Sequence, residues 1–298
     1  MFKNILVPLD GSKLSEASLI PAAFLAEALH SRVTLLHIIE QDPPSEIHKE
    51  RHLTKPDEAE AYLNEVAKRA FPATVRVETH VHTAAVSDVA RSIVDHAPEL
   101  KPDLIVICTH GRGGVHDLLY GNIAQQVLAT GTIPLLAVKT AIPSFELNKI
   151  LIPLDPDSIH DNSLGVAESL AKIFMAELSL LSIIPTLSTL DVEQAAVGSL
   201  LPVTTQTYLD LNVENAKKDL QIHVDALHKG HVGAFAEVAR GDPASSIVKA
   251  AEESGADLIL LSTHRKVGLS AFWARSVAPK VAQKAKAPLL VIPLFQTE

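Results

Sequence analysis

Short, wholly apolar runs alternate along the chain with longer stretches whose apolar positions recur every three or four residues. ILVPL, VTLLHII, LIVICT and LLAV belong to the first kind and read as strands buried on both faces. The intervening stretches read as amphipathic helices, so the pattern is that of βαβ units around a parallel sheet. Strands are expected near Ile5–Leu9, Val33–Ile39, Val75–Val81, Leu104–Thr109 and Leu135–Val138. Helices are expected near Ser15–Leu29, Asp57–Ala70, Ser87–Ala97 and Asn122–Ala129. Pro21 interrupts the first of these, which should kink it or delay its start.

The pattern is written twice. FKNILVPLDGS at the beginning returns as LNKILIPLDPDS at Leu147–Ser158, PDLIVICTH (Pro102–His110) returns as ADLILLSTH (Ala256–His264), and GTIPLLAVK (Gly131–Lys139) returns as KAPLLVIPL (Lys286–Leu294). A period of about 145 to 155 residues is too long for a solenoid, so each copy is a domain. The proline-interrupted stretch Thr140–Leu147 is the linker, which gives domains over 1–140 and 147–298. The second copy carries a longer helical region at Gln206–His228, and Ile184–Val203 reads as a loop holding one short helix.

Five parallel strands joined by right-handed crossovers make a doubly wound sheet. Ligands of such sheets sit beyond the carboxyl ends of the strands, where the winding reverses. If the first strand is central and the fourth lies beside it, two loops converge there: Pro8-Leu9-Asp10-Gly11-Ser12 and Cys108-Thr109-His110-Gly111. The second continues through Gly113 and Gly114 to Gly121, where a new apolar-periodic segment starts. A strand, a glycine-rich loop and a helix start present backbone N–H groups to an anion. The loop is neither a P-loop nor a Rossmann fingerprint, because no Gly-Lys-Ser/Thr ends it and His116 stands where the last fingerprint glycine belongs. By itself the pattern also describes an ordinary surface loop.

Composition narrows the partners. Aromatic residues make up only 4% of a chain that is 47% hydrophobic, so the core is aliphatic, as between parallel strands and Ala-rich helices. A net charge of −9 argues against nucleic acid and anionic membranes, both of which attract basic patches. Cys108 is the only cysteine, which excludes an intrachain disulfide and points to a reducing, cytoplasmic setting. No charged-then-apolar leader opens the sequence and no apolar run reaches the roughly 18 residues of a membrane span.

The opening ILVPLD with Ser12, the LLHII of Leu35–Ile39, PDLIVICTHGRGG, and YGNIAQQVL followed by IPLLAVK, in that order, resemble the universal stress protein family in its tandem two-domain form. The resemblance covers nearly the whole chain. It implies two doubly wound, five-stranded parallel α/β domains of the adenine-nucleotide-binding type, packed about a pseudo-twofold axis with their last strands paired. Members that bind ATP carry a glycine, two residues, a second glycine, nine residues, then Gly-Ser or Gly-Thr. Gly111 and Gly121 match the second and third glycines, while Cys108 replaces the first and Asn122 the hydroxyl residue. The resemblance implies that Asp10, with Pro8, Leu9 and Ser12 around it, holds the ribose hydroxyls, and that backbone at Ile38 meets the adenine edge. It also implies that amides around His110, Gly111, Gly121, Asn122 and Ile123 hold the phosphates of ATP, with Mg2+ alongside. In the second copy Arg265 and Arg275 replace both glycines, so ATP is expected in the first domain only.

The implied function is a stress-associated regulator that responds to an adenine nucleotide. The alternative is a nucleotide-free tandem scaffold that pairs with itself or a protein partner. A slow ATPase is the third reading, although no ordered Ser-His-Asp set or metal-ligand cluster marks an enzyme. His48 and His52 would share a face if helical, but their charged neighbours suggest a solvated segment. His80 and His82 point the same way on a strand, with no carboxylate partner evident. His110 and His264 recur at equivalent positions, and Trp273 beside Phe272 is a candidate contact residue.

Overall fold

The computed structural model describes residues 1–43, 45–47, 50–109, 123–130, 132–140, 144–154, 163–190, 192–264 and 277–294. The chain divides into two compact units, one built on Met1–Glu146 and the other beginning at Leu147. The first contains β1 (Asn4–Pro8), α1 (Leu19–Leu29), β2 (Arg32–Glu40), β3 (Glu46–Ile47), β4 (Glu50–Arg51) and α2 (Pro56–Ala70). It continues through β5 (Arg76–Val86), α3 (Val89–Asp95), α4 (Ala97–Leu100), β6 (Leu104–Thr109), α5 (Ile123–Thr130) and β7 (Leu135–Lys139).

Its main sheet runs β7–β6–β1–β2–β5, all parallel. Val7 lies opposite Leu35 on one side of β1, and Ile5 lies opposite Leu104 on the other. The winding therefore reverses between β1 and β6, as expected for a central first strand. β6 is buried along its whole length, whereas β5, at the sheet edge, stays partly exposed throughout. Ile5, Leu6, Leu35, Leu36, Leu104 and Ile105 are among the largest fully buried side chains. Burial of each contributes about 1.5–3 kcal/mol.

The helices follow their local chemistry. A 3-10 turn at Ser15–Ser18 precedes α1, so Pro21 falls in the first turn of the α-helix. There its missing N–H breaks no intrahelical bond, which fits the late start of the α-helix. The single helix expected over Ser87–Ala97 is two. Asp88 caps α3 by accepting from the Arg91 amide at 2.9 Å, and Pro98 in the first turn of α4 marks the break. α2 opens with Pro56, Asp57 and Glu58, ends with Lys68 and Arg69, and buries Ala59, Leu63 and Val66 as one stripe. β3 and β4 form a small antiparallel pair, so the segment is not helical there.

The second unit holds β8 (Lys149–Pro153), α6 (Ser163–Phe174), β9 (Glu177–Ile184), α7 (Val192–Leu200), α8 (Pro202–Lys229) and β10 (Ala234–Arg240). It ends with α9 (Pro243–Ser254), β11 (Leu258–His264), α10 (Val277–Lys284) and β12 (Leu289–Leu294). Its order, β10–β9–β8–β11–β12, repeats that of the first unit. The long helical region begins at Pro202 and runs 28 residues. It buries Leu209 and Ala216 against Ile184, with Leu190, Val213 and Val238 packed around them.

The duplication extends to single hydrogen bonds. Asp103 accepts from the Lys3 and Asn4 amides at 2.6 and 2.8 Å, and Asp257 accepts from the Asn148 and Lys149 amides at 2.8 and 2.9 Å. The aspartate of the recurring PDL and ADL triplets thus fixes the start of each central strand. No described helix is long and apolar enough to cross a membrane.

Candidate functional site

The loop after β1 is held by its own short-range chemistry. Pro8 ends the strand, and the Leu9 amide donates to the Leu36 carbonyl at 2.8 Å. Ser12, fully buried, turns its amide and its hydroxyl onto Asp10 Oδ1 at 2.8 and 2.7 Å. Two bonds to one carboxylate oxygen fix the orientation of Asp10 at the carboxyl end of β1. Gly11 lies between them with φ +90°, and a Cβ there would come within 2.7 Å of Leu53 Cδ1 and 2.8 Å of Leu53 Cγ. The positive φ strains any other residue here, and Leu53 would have to shift to admit a Cβ. His37, buried on β2, straps the loop from behind, with Nδ1 2.8 Å from the Leu9 carbonyl and Nε2 3.1 Å from that of Leu53.

Across the reversal, β6 delivers Cys108 and Thr109, both buried. The Thr109 hydroxyl donates to the Val138 carbonyl at 3.0 Å and so is taken up by β7. Burial and the negative charge of Asp10 push the Cys108 thiol up to about 12, with Lys139 acting in the opposite sense. Because β1 and β6 are adjacent parallel strands, Asp10 and Cys108 lie towards the carboxyl ends of neighbouring strands, whereas the rest of the second loop, His110 and Gly111 included, lies outside the described residues. A neutral thiol adds no charge to the crevice, and it does not behave as a reactive thiolate.

The other expected residues fall as follows. Ile38 is buried on β2, and Ile123 is the first residue of α5 and more than one-third exposed. His110, Gly111, Gly121 and Asn122 lie outside the described residues, as do Arg265, Phe272, Trp273 and Arg275. Leu154 repeats the bond of Leu9, its amide donating to the Leu181 carbonyl at 2.8 Å, whereas Asp155 lies outside the described residues.

Two residues join this site that the linear pattern did not single out. Tyr62, from α2, donates to Glu16 Oε1 at 3.3 Å, and burial together with Glu16 and Asp10 holds its phenol well above the usual range. Lys139 ends β7 opposite Thr109, and burial lowers its ammonium while Cys108 counteracts. A lysine following an apolar strand looks like a solvated end, and only the sheet order sets it beside the end of β6. His52 does not share a helical face with His48. It follows β4 outside any helix and is buried, with Nε2 3.6 Å from Glu40 Oε1 and, among the described residues, no hydrogen bond to either ring nitrogen. The segment around it is therefore not simply a solvated charged one.

Fold and site together define a tandem α/β protein, each half a parallel sheet whose central strand has neighbours wound in opposite directions. The model of the universal stress protein family matches residues 1–139 and again 146–293, and the chain belongs to that family. Among curated relatives, a universal stress protein of Methanocaldococcus jannaschii is 32% identical over 146 residues, covering 47% of this chain and 83% of its own. The universal stress protein YxiE of Bacillus subtilis is 30% identical over 152 residues, covering 47% of this chain and 100% of its own. Both are thus about the size of one of the two copies. Among solved structures, a universal stress protein from Archaeoglobus fulgidus aligns over 99% of this chain and 97% of its own, with a TM-score of 0.74 and 17% identity. At that identity the likeness is one of fold.

Proposed function

We propose that the first unit binds an adenine nucleotide, ATP in the first instance, and that its occupancy sets the regulatory state of the protein. The observation that carries this reading is the position of Asp10 and Cys108 at the carboxyl ends of the adjacent strands β1 and β6, on either side of the winding reversal where open α/β sheets take their ligands. A carboxylate pinned by Ser12 suits the vicinal hydroxyls of a ribose. Backbone at Ile38 would face the adenine. Amides of Gly111, Gly121, Asn122 and Ile123 would surround the phosphates, helped by their place before α5. Lys139 supplies a local cation beside an otherwise acidic chain. Mg2+ would enter with the phosphates, its remaining ligands being water.

A second reading, as a tandem docking protein, draws on the outer face of the second unit. Leu200, Leu201, Val203, Tyr208, Leu211 and Ile222 are all more than half exposed there. The two readings separate on nucleotide. Mass spectrometry of small molecules released by denaturing the purified protein should detect an adenine nucleotide. Gly121→Arg, which installs the residue found in the second copy, should abolish the ATP-dependent rise in melting temperature while leaving circular dichroism native. A folded Gly121→Arg protein that binds ATP as tightly as wild type refutes the site.

A further inference from the structure

Away from the crevice, at the β5 edge of the first unit, three imidazoles and a carboxylate gather on one face of the sheet. His80 and His82 stand two apart on β5 and so project to the same side. His96 caps the C-terminus of α3, and Glu99 follows three residues later in α4. The His80 and His96 rings meet edge-on at 5.3 Å, and those of His82 and His96 at 4.7 Å. One ligand atom each from His80, His96 and Glu99 lies within 4.8 Å of the others.

We propose that His80, His96 and Glu99 form a binding site for a divalent first-row transition ion, Zn2+ being the one their donor set suits. The strongest support is the state of His96. Its Nδ1 lies 2.7 Å from the Ser92 carbonyl, and a carbonyl only accepts, so Nδ1 carries the hydrogen. In the neutral ring the lone pair then belongs to Nε2. A ligating histidine is ordinarily set up in this way, with the outer nitrogen donating to a backbone carbonyl and the inner one aimed at the metal. His96 is also buried, so a polar ring has been placed inside with one nitrogen committed to the backbone.

The rest of the cluster fits the same purpose. Among the described residues neither the His80 nor the His82 side chain makes a hydrogen bond to the protein, so no side-chain bond accounts for placing them against His96. The Glu99 amide donates to the His96 carbonyl at 3.2 Å, which ties the carboxylate to the same turn as the imidazole. Pro98 belongs to that turn, where α4 starts afresh after α3. Two imidazoles and one carboxylate are borderline donors that suit Zn2+, whereas Mg2+ and Ca2+ prefer oxygen throughout. Bonds of about 2.0–2.2 Å to a tetrahedral ion place ligand atoms about 3.4 Å apart, a contraction within reach of the exposed Glu99 side chain. Three protein ligands leave the fourth position to water or to a ligand group. The site is two strands away from β1 in the sheet order and does not depend on the nucleotide reading.

The test uses the full chain stripped with EDTA and dialysed. Calorimetric titration with ZnCl2 should find a site of one equivalent with a dissociation constant in the micromolar range or below. CoCl2 should produce the visible bands of a four-coordinate ion. Glu99→Gln, at an exposed position, should weaken Zn2+ by at least tenfold, and His80→Ala by more, with circular dichroism unchanged. If His80→Ala fails to fold, Glu99→Gln and the Co2+ spectrum decide. The proposal is overturned if the stripped wild type takes up no Zn2+, or if either folded variant binds as wild type does. A Co2+ spectrum of six-coordinate type also overturns the assignment.

Discussion

Ser12→Ala offers a measurable test of how the candidate site is built. The Ser12 hydroxyl is fully buried, donates to Asp10 Oδ1 at 2.7 Å and accepts from the Ser15 amide at 3.2 Å. Alanine removes both bonds, while the Ser12 amide still donates to Asp10 and the Ser15 hydroxyl still donates to the Ser12 carbonyl. A hydrogen bond to a charged group is worth about 1.5–3 kcal/mol and a neutral one about 0.5–1.5 kcal/mol. The two share one oxygen and are not additive, so the expected cost is about 2–3 kcal/mol. For a unit of this size that lowers its calorimetric transition by roughly 4–12 °C. With two units in the chain the transition must be assigned, and amide exchange at Ser15, which loses its acceptor, does so. The same variant removes one of the two Ser12 bonds that orient Asp10, so the ATP-dependent stabilisation should shrink even where the variant is fully folded. A change in stability below about 0.5 kcal/mol would place Ser12 with ordinary surface positions and refute this account of the loop.

Two further outcomes follow from the second unit. Ser182 is buried in β9 and its hydroxyl has no hydrogen-bond partner among the described residues. Ser182→Ala should therefore raise stability by about 1 kcal/mol in urea unfolding, since it removes an unsatisfied buried polar group. Asp242 caps α9 by accepting from the Ser245 amide at 2.9 Å, and that contact with Ser245 holds its carboxyl below the usual carboxylate range. Asp242→Ala should cost about 1 kcal/mol at pH 7. Because the folded value is the depressed one, the contribution is complete above the unfolded value of about 3.9 and disappears as pH falls through the folded value. The gap between wild type and variant in urea midpoint should thus be full at neutral pH and narrow as pH falls below the usual carboxylate range.

Much of the architecture is local in origin and so is legible along the chain. Apolar runs at β1, β2, β6 and β7, the late start of α1 at Pro21, and the twofold repetition of the sequence pattern depend on side-chain spacing within a few residues, whereas the bonds of Asp103 and Asp257 join segments about a hundred residues apart. Hydrophobic spacing says which face of a strand is buried, but not which strand lies beside it. That β6 rather than β5 flanks β1 is decided by packing over the whole sheet, and it is what brings Cys108 and Lys139 into one crevice with Asp10. The same limit hid the edge cluster. His80 and His96 are separated by a turn and a helix, and the break in α3–α4 directs His96 and Glu99 back onto β5. The β3–β4 pair and the burial of His52 are further cases, since a charged segment such as Glu46–His52 gives no periodic signal. Periodicity is a property of the nearest neighbours in sequence. A site is a property of the nearest neighbours in space, and crossover connections make these different residues.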